Sequence, residues 1–361
     1  MGAHPRGPAR VLLNGDNAGL DALIEAAPQA ILGPEIARRF GGRLPFLFKI
    51  LDVRKMLSIQ AHPTKAEAEA GFARENEQGI PLKAPHRVFR DDNHKPEVMV
   101  ALSDFWLLHG FRTPDTIARL CDALPGWKPL RDKLQGGDLK ALYRTLMEMP
   151  QAEVNRRLEP LRQHLAGQAG QLEREDPGYW AWQAFEEYTT SEGAIDRGIF
   201  SIYLFNLVRL RPGQGIFQDA GIQHAYLQGA NVELMANSDN VFRGGLTRKH
   251  IDVPALMAHL DFEPVEPQIL EGTALSPVLR RYATPSPDFQ LSRIELAAGE
   301  RYAPAAAATP RIFITLEGAV AVDGAGVFRR GGSFLVQAGA EAALKAQQGA
   351  LLFEAAVPIN G

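Results

Sequence analysis

The chain has 361 residues, more than one hydrophobic core ordinarily holds, so two or three domains are expected. With 45% hydrophobic residues, 22% charged residues and a net charge of −3, it lacks the basic footprint that nucleic acid or an anionic membrane surface would need. A single cysteine, Cys121, excludes an internal disulfide framework and suits a reducing compartment. No apolar run approaches the ~20 residues of a membrane helix, and "MGAHPRGPARVLLNGD" shows neither a secretory nor a myristoylation pattern, so a cytoplasmic location is expected.

From Pro45 to about Leu108 the signals are mostly those of strands. "LPFLFKILDV" and "KMLSIQAHP" are apolar and alternating, joined at Asp52-Val53-Arg54. "TKAEAEAGFARENEQG", residues 64–79, is rich in helix formers and ends at Gly79-Ile80-Pro81. A polar loop, "HRVFRDDNHK", then feeds a further strand from about Lys95. The character changes at Thr113-Pro114, an N-cap followed by a first-turn proline. Helical spacing persists to about Tyr188. Val154, Leu158, Leu161 and Leu165 form one stripe, with Pro160 predicting a kink or break inside it. Cys121, in the helical "ARLCDALPG", reads as buried and inert.

Strands are expected again after "SEGAIDRG". "IFSIYLFNLVRLRPGQGIFQDAGIQHAYLQGANVELMANS" breaks short apolar runs with glycine turns, as jelly rolls and barrels do. A short helical patch, "VPALMAHL", and the linker "FEPVEPQ" follow. The remainder, about 270–361, has the same β rhythm but no histidine, which assigns any metal centre to the first β unit. The expected fold is mainly β: a jelly-roll barrel from residues 1–112 and 191–264, a helical insert at 113–190, and a second, metal-free jelly roll at 265–361.

Within "LSIQAHPTKAE", Gln60 and His62 stand two residues apart, so strand alternation puts both on one face. Alone, such a pair is an ordinary solvated strand face. A second run sharpens the reading. Gly213, five residues and then Asp-Ala-Gly-x-x-His ending at His224 resembles the second cupin motif, with Asp219 in place of its proline. The first cupin motif would take Gln60 and His62 and, applied mechanically, Glu67. Glu67, however, follows Pro63 inside a helix-forming run, so Glu97 in "DDNHKPEVMVAL" is the better carboxylate.

The runs "LSIQAHP", "DDNHKPE" and "HAYLQGANVELMANSDNVFRGGLTRKHID" together resemble the type I phosphomannose isomerases, in order and spacing across nearly the whole chain. The resemblance implies one Zn²⁺ held by Gln60, His62, Glu97 and His224, a Lewis-acidic centre of net charge +1. It implies interconversion of mannose 6-phosphate and fructose 6-phosphate through a cis-enediol. Arg243 would face the developing negative charge, and the proton-shuttling base would come from Glu233, Lys95 or Asp239, Glu233 being preferred. Glu233 could instead be the ion-pair partner of Arg243 or Lys249. Lys49, Ser58 and Lys249 would hold the phosphate, and Tyr226 the sugar. The partner implied is a small sugar phosphate, with the protein a monomer. His94 is expected to point away from the metal and brace its loop, and His109, His164, His250 and His259 are read as surface or core. Family members also carry an aromatic-x-Trp-Gly segment ahead of the "MGAHPRGP" run. Without it a sheet edge is expected to lie unpaired and activity could be weak. Two rival readings are an iron cupin oxygenase built on the same two histidines and carboxylate, and a non-catalytic sugar-phosphate-binding protein.

Overall fold

The computed structural model describes residues 1–13 and 15–359. An antiparallel pair, β1 (Arg10–Leu13) and β2 (Asp16–Gly19), leads into three short helices, α1 (Leu20–Ala26), α2 (Pro28–Leu32) and α3 (Pro34–Arg39). Then come β3 (Phe46–Val53) and β4 (Ile59–Ala61), shorter than "KMLSIQAHP" suggested, and α4 (Lys65–Glu77). Helix α4 starts as its sequence predicts. Thr64 accepts from the backbone of Glu67, and the Glu67 carboxylate accepts from the backbone of Thr64. Two further strands, β5 (Glu97–Ala101) and β6 (Phe105–Phe111), close the first half of the barrel.

The second half consists of β7 (Phe205–Leu210), β8 (Gly215–Gln218), the long β9 (His224–Ala236) and β10 (Phe242–Gly245), followed by helix α10 (Val253–His259). All strands from β3 to β10 join one eight-stranded antiparallel sheet that curls on itself. Strand β9 is its spine. Its first half pairs with β6, His224 lying opposite His109 and Tyr226 opposite Leu107. Its second half runs between β3 and β5, with Glu233 opposite both Lys49 and Met99. Between the halves the register slips, because Leu107 faces Tyr226 whereas Trp106 faces Gln228. Gly229 follows with φ +129°, and a Cβ there would lie 2.6 Å from the Phe105 ring and 2.7 Å from the Asp104 carbonyl. The outer edge of β3 carries a bridge from Gly2 to Leu47 and bonds from Met1 to Phe48. Beyond that, no strand pairs with this edge among the described residues.

The insert is helical throughout: α5 (Pro114–Ala123), a 3-10 segment at Lys128–Gly137, α6 (Leu139–Glu148), α7 (Gln151–Ala166) and α8 (Pro177–Tyr188). Thr113 caps α5 with Pro114 in its first turn, and the stripe Val154, Leu158, Leu161 and Leu165 is buried. One expectation narrows and another needs correcting. Pro160 does not break α7, which runs from Gln151 to Ala166 with the proline inside. "IFSIYL" is not a strand but most of helix α9 (Gly198–Leu204), buried at every position. A short apolar run hidden on all sides has no periodicity to separate helix from strand.

The C-terminal part is β, as expected. A six-stranded sheet holds β11 (Thr273–Ala274), β12 (Leu279–Tyr282), β13 (Gln290–Leu296), β15 (Arg311–Glu317), β18 (Ser333–Val336) and β20 (Ala350–Ala356). A four-stranded sheet holds β14 (Arg301–Tyr302), β16 (Ala319–Val322), β17 (Gly326–Arg329) and β19 (Leu344–Ala346). Ile294, Phe313, Val320, Leu344 and Leu352 fill the space between them. The other face of the larger sheet is also buried: Leu291, Ile312 and Phe353 share one core with Phe46 and Phe48 of β3, Val232 and Leu234 of β9, and Leu32 and Ile36 of the N-terminal helices. A third core joins Ile59, Trp106 and Leu108 of the barrel to Leu142, Leu158 and Phe185 of the insert.

Candidate metal centre

The interior of the barrel changes from apolar to polar along its axis. At one end Val53, Met99, Phe105, Leu107 and Ile216 form a small hydrophobic plug. At the other end His62, Glu97 and His224 converge, all buried, with one ligand-type atom from each within 4.8 Å of the others. His62 Nε2 lies 3.4 Å from Glu97 Oε1, and His224 Nε2 lies 3.3 Å from Glu97 Oε2.

Backbone carbonyls set the tautomer of both rings. His62 Nδ1 is 2.8 Å from the Asn240 carbonyl and His224 Nδ1 is 3.1 Å from that of Ile222, so each Nδ1 carries the proton and donates. In the neutral form of each ring Nε2 is then the lone-pair nitrogen, and it faces a carboxylate oxygen. Lone pairs facing a carboxylate at this distance repel unless positive charge lies beside them; Lys95 supplies one such charge on the His62 side, and a divalent cation held by all three groups would supply it on the His224 side as well. Burial, then the nearby Lys95, holds the His62 imidazolium pKa down to about 4, so the ring is neutral at physiological pH as a ligand must be. Burial pushes the Glu97 carboxyl up, but the adjacent Lys95 ammonium outweighs it, holding the group well below the usual carboxylate range.

Lys95 is buried beside the cluster, its Nζ 2.6 Å from Glu97 Oε1 and 3.4 Å from His62 Nε2. Gln60 lies directly opposite His224 on β9 and Arg243 on β10, which places all three at neighbouring register positions. Arg243 is half-buried, and among the described residues no carboxylate lies within ion-pair distance of it. Burial, then the charge of Arg90, lowers its pKa. It is a guanidinium prepared for an anion.

Glu233 pairs with Lys49 rather than with Arg243 or Lys249, at 2.7 Å, and Lys49 also touches the Met235 sulfur. Burial lowers the Lys49 pKa, yet Glu233 and Glu97 outweigh it, so the lysine stays charged. Tyr226 donates to Gln218 at 3.2 Å, and burial, then Glu233 and Glu97, keep it a neutral phenol. Ser58 is partly buried just before β4, two residues from Gln60. Asp239 sits at the rim, bonded to His4 at 3.1 Å and to Arg6. Lys249 is exposed on the turn after β10 and lies apart from the cluster's hydrogen bonds.

Glu67, set aside as a ligand, indeed serves the helix: it caps α4 and pairs with His259 at 2.9 Å. His94 does not join the cluster; it bonds to Asp288 at 2.6 Å. The sequence reading missed one participant and left the place of another histidine open. Asn240 supports His62 and also accepts from the Arg90 backbone at 2.7 Å. His109, read as surface or core, lies opposite His224 with Nε2 3.2 Å from the Phe217 carbonyl. Neither shows a local pattern; the approach of two loops reveals Asn240, and the pairing of β6 with β9 reveals His109.

A family model described as "Phosphomannose isomerase type I, catalytic domain" matches residues 1–114. Mannose-6-phosphate isomerase from Salmonella typhimurium is 40% identical over 309 residues, spanning 83% of this chain and 75% of its own length. The protein of that name from Rattus norvegicus is 36% identical, over 82% and 71% of the two chains. Among solved structures, the apo form of mannose 6-phosphate isomerase from Salmonella typhimurium superimposes with a TM-score of 0.86 at 34% identity, covering 99% of this chain and 90% of that one. A glutamate-to-alanine variant of the same enzyme gives 0.88 with the same coverage. With its cupin-type barrel, its buried His–Glu–His cluster and relatives matched along most of its length, this chain belongs to the type I phosphomannose isomerase family.

Proposed function

We propose that the protein is a zinc-dependent aldose–ketose isomerase interconverting mannose 6-phosphate and fructose 6-phosphate. The observation that carries the metal part is the pair of Nε2 lone pairs turned toward the two oxygens of Glu97. His62, Glu97 and His224 would hold the ion, with Gln60 as fourth ligand from the position opposite His224. Such a set keeps a divalent ion at net positive charge, and the ion would supply Lewis acidity toward sugar oxygens. An amide beside two imidazoles and a carboxylate favours zinc over the open three-ligand site of an iron oxygenase.

The remaining residues divide the chemistry. Glu233, fixed by Lys49, is the proposed base that carries the proton between C1 and C2. Arg243, free of any carboxylate partner among the described residues, would stabilise the enediolate charge. Lys95 keeps Glu97 ionised and positive charge close to the reacting carbons, and Asp239 stands at the rim as a secondary acid–base group. Tyr226, whose hydroxyl proton goes to Gln218, would accept from a sugar hydroxyl. Ser58, Lys249 and Lys49 would receive the phosphate, which requires Lys49 to share its charge between Glu233 and the substrate. No helix of the described residues is long and apolar enough to cross a membrane, and a cytoplasmic monomer is the proposed state.

The test joins elemental analysis to a coupled assay for fructose 6-phosphate formation on the purified chain. About one zinc per chain, with turnover lost to a chelator and restored by zinc, is the expected result. Turnover that survives complete metal removal would refute the assignment, and iron with oxygen consumption would favour the oxygenase.

A further inference from the structure

The loop that delivers Lys95 and Glu97 is strapped on two sides. On the barrel side, Asp91 accepts from the Ser238 hydroxyl and the Asp239 backbone, both at 2.7 Å. Asn240 donates to the carbonyls of Asp91 and Asn93, both at 2.8 Å. On the opposite side the side-chain tie is His94, whose Nε2 donates to Asp288 Oδ2 at 2.6 Å. Asp288 belongs to the C-terminal β part, between β12 and β13, and is 3% exposed. Its own placement is firm. Phe289 and Leu291 enter the core shared with β3 and β9, the Asp288 backbone donates to Ser286, and Arg39 donates to the Pro287 carbonyl at 2.8 Å.

We infer that Asp288 is a positioning residue for the reaction: the C-terminal β part, which holds no metal cluster of its own among the described residues, completes the catalytic site by fixing His94 and thereby the backbone that presents Lys95. A charge-assisted bond of this length between two largely buried groups is among the stronger links a loop can have. Lys95 makes two close contacts to the cluster, to Glu97 and to His62, so a small tilt of the His94–Lys95 peptide changes both distances at once. The inference rests on the isomerase reading for its kinetic consequences, but its structural content stands apart from that reading.

The experiment is a double-mutant cycle on the metal-loaded full chain, with Asp288→Asn, His94→Asn and the double variant. Each is assayed for kcat and KM with mannose 6-phosphate, for bound zinc, and for amide hydrogen exchange across residues 91–96. Each single substitution is expected to lower kcat about tenfold, with KM within about twofold and zinc retained, because Lys95 faces the metal cluster rather than a phosphate. The double variant should be no slower than the worse single one. Exchange at Asn93, His94 and Lys95 should quicken in Asp288→Asn. Multiplicative losses in the double variant, or wild-type kcat in Asp288→Asn, would overturn the inference. If the parent chain shows no isomerase turnover, the functional proposal fails instead, and unchanged exchange over 91–96 would then refute the positioning role by itself.

Discussion

His62 and His224 are held by carbonyls from Asn240 and Ile222, so their orientation does not depend on the ion they are proposed to bind. His224→Ala should therefore lose zinc and turnover together while the barrel still folds, as metal analysis beside circular dichroism would show. Full turnover without metal would sink the assignment. Arg243→Ala should behave differently: zinc stays, and kcat falls by roughly a hundredfold because charge stabilisation is lost without any ligand. Lys249→Ala is expected to raise KM for the phosphorylated sugar, and an unchanged KM would remove this exposed lysine from the phosphate site. Much of this centre was legible in sequence. Pro63 and the helix formers after it disqualified Glu67, and the loop-to-strand junction at Pro96 pointed to Glu97. What sequence did not disclose was partnership at long range. Lys49 looked like a phosphate ligand, yet its nearest anion is Glu233, 184 positions away. Asn240 acts through hydrogen bonds between loops distant in sequence, and His109 meets His224 through strand pairing; no local spacing encodes either.

Helix α4 illustrates how an element can be legible in outline and opaque in detail. Its strong helix formers and the stop at Gly79-Ile80-Pro81 predict a helix over 64–79, and the structure has Lys65–Glu77 with a capping box at Thr64. The glycine at position 71 makes no sense from propensity, since alanine there would favour the helix by about 1 kcal/mol. Packing supplies the reason: a Cβ on Gly71 would fall 2.3–2.5 Å from three atoms of the buried Phe89 ring. Gly71→Ala should therefore lower the melting temperature despite the better helix former, because overpacking costs about 1–3 kcal/mol. A rise in melting temperature would mean that Phe89 can yield. Helix α9 marks the opposite limit. With every position from Gly198 to Leu204 buried, its sequence offers no polar face from which to read a period.

At the scale of the molecule strand-rich and helix-rich stretches alternate along the chain, but their cores are not separate. One core runs from the barrel into the insert and another from the barrel into the C-terminal sheet, so packing links the segments into one body. The C-terminal sheet carries a cost of its own. Burial pushes the Glu354 carboxyl above its ordinary pKa, and Arg311 at 4.0 Å with Arg281 reverses only part of this. The folded state thus binds the proton more tightly than the unfolded chain. The penalty is absent below the unfolded pKa of about 4 and develops as pH rises through the folded value. Glu354→Gln should then raise the melting temperature at neutral pH, with the gain vanishing near pH 4. A lower melting temperature at neutral pH would show that the Arg311 pair dominates.

The register slip in β9 has a consequence for how this sequence can vary. Before the slip the even positions His224 and Tyr226 point into the barrel; after it the odd positions Asn231, Glu233 and Met235 do, because Leu227 and Gln228 both turn outward. The extra residue acts as a phase shifter, letting a metal ligand and the proposed base share one cavity although they differ in parity. The same step hands the outward face from the insert's core, which takes Ala225 and Leu227, to the core of the C-terminal sheet, which takes Val232 and Leu234. Many substitutions along this strand leave that frame intact. Deleting either Leu227 or Gln228 does not, since it would turn one half of the site out of the barrel without altering a single functional residue.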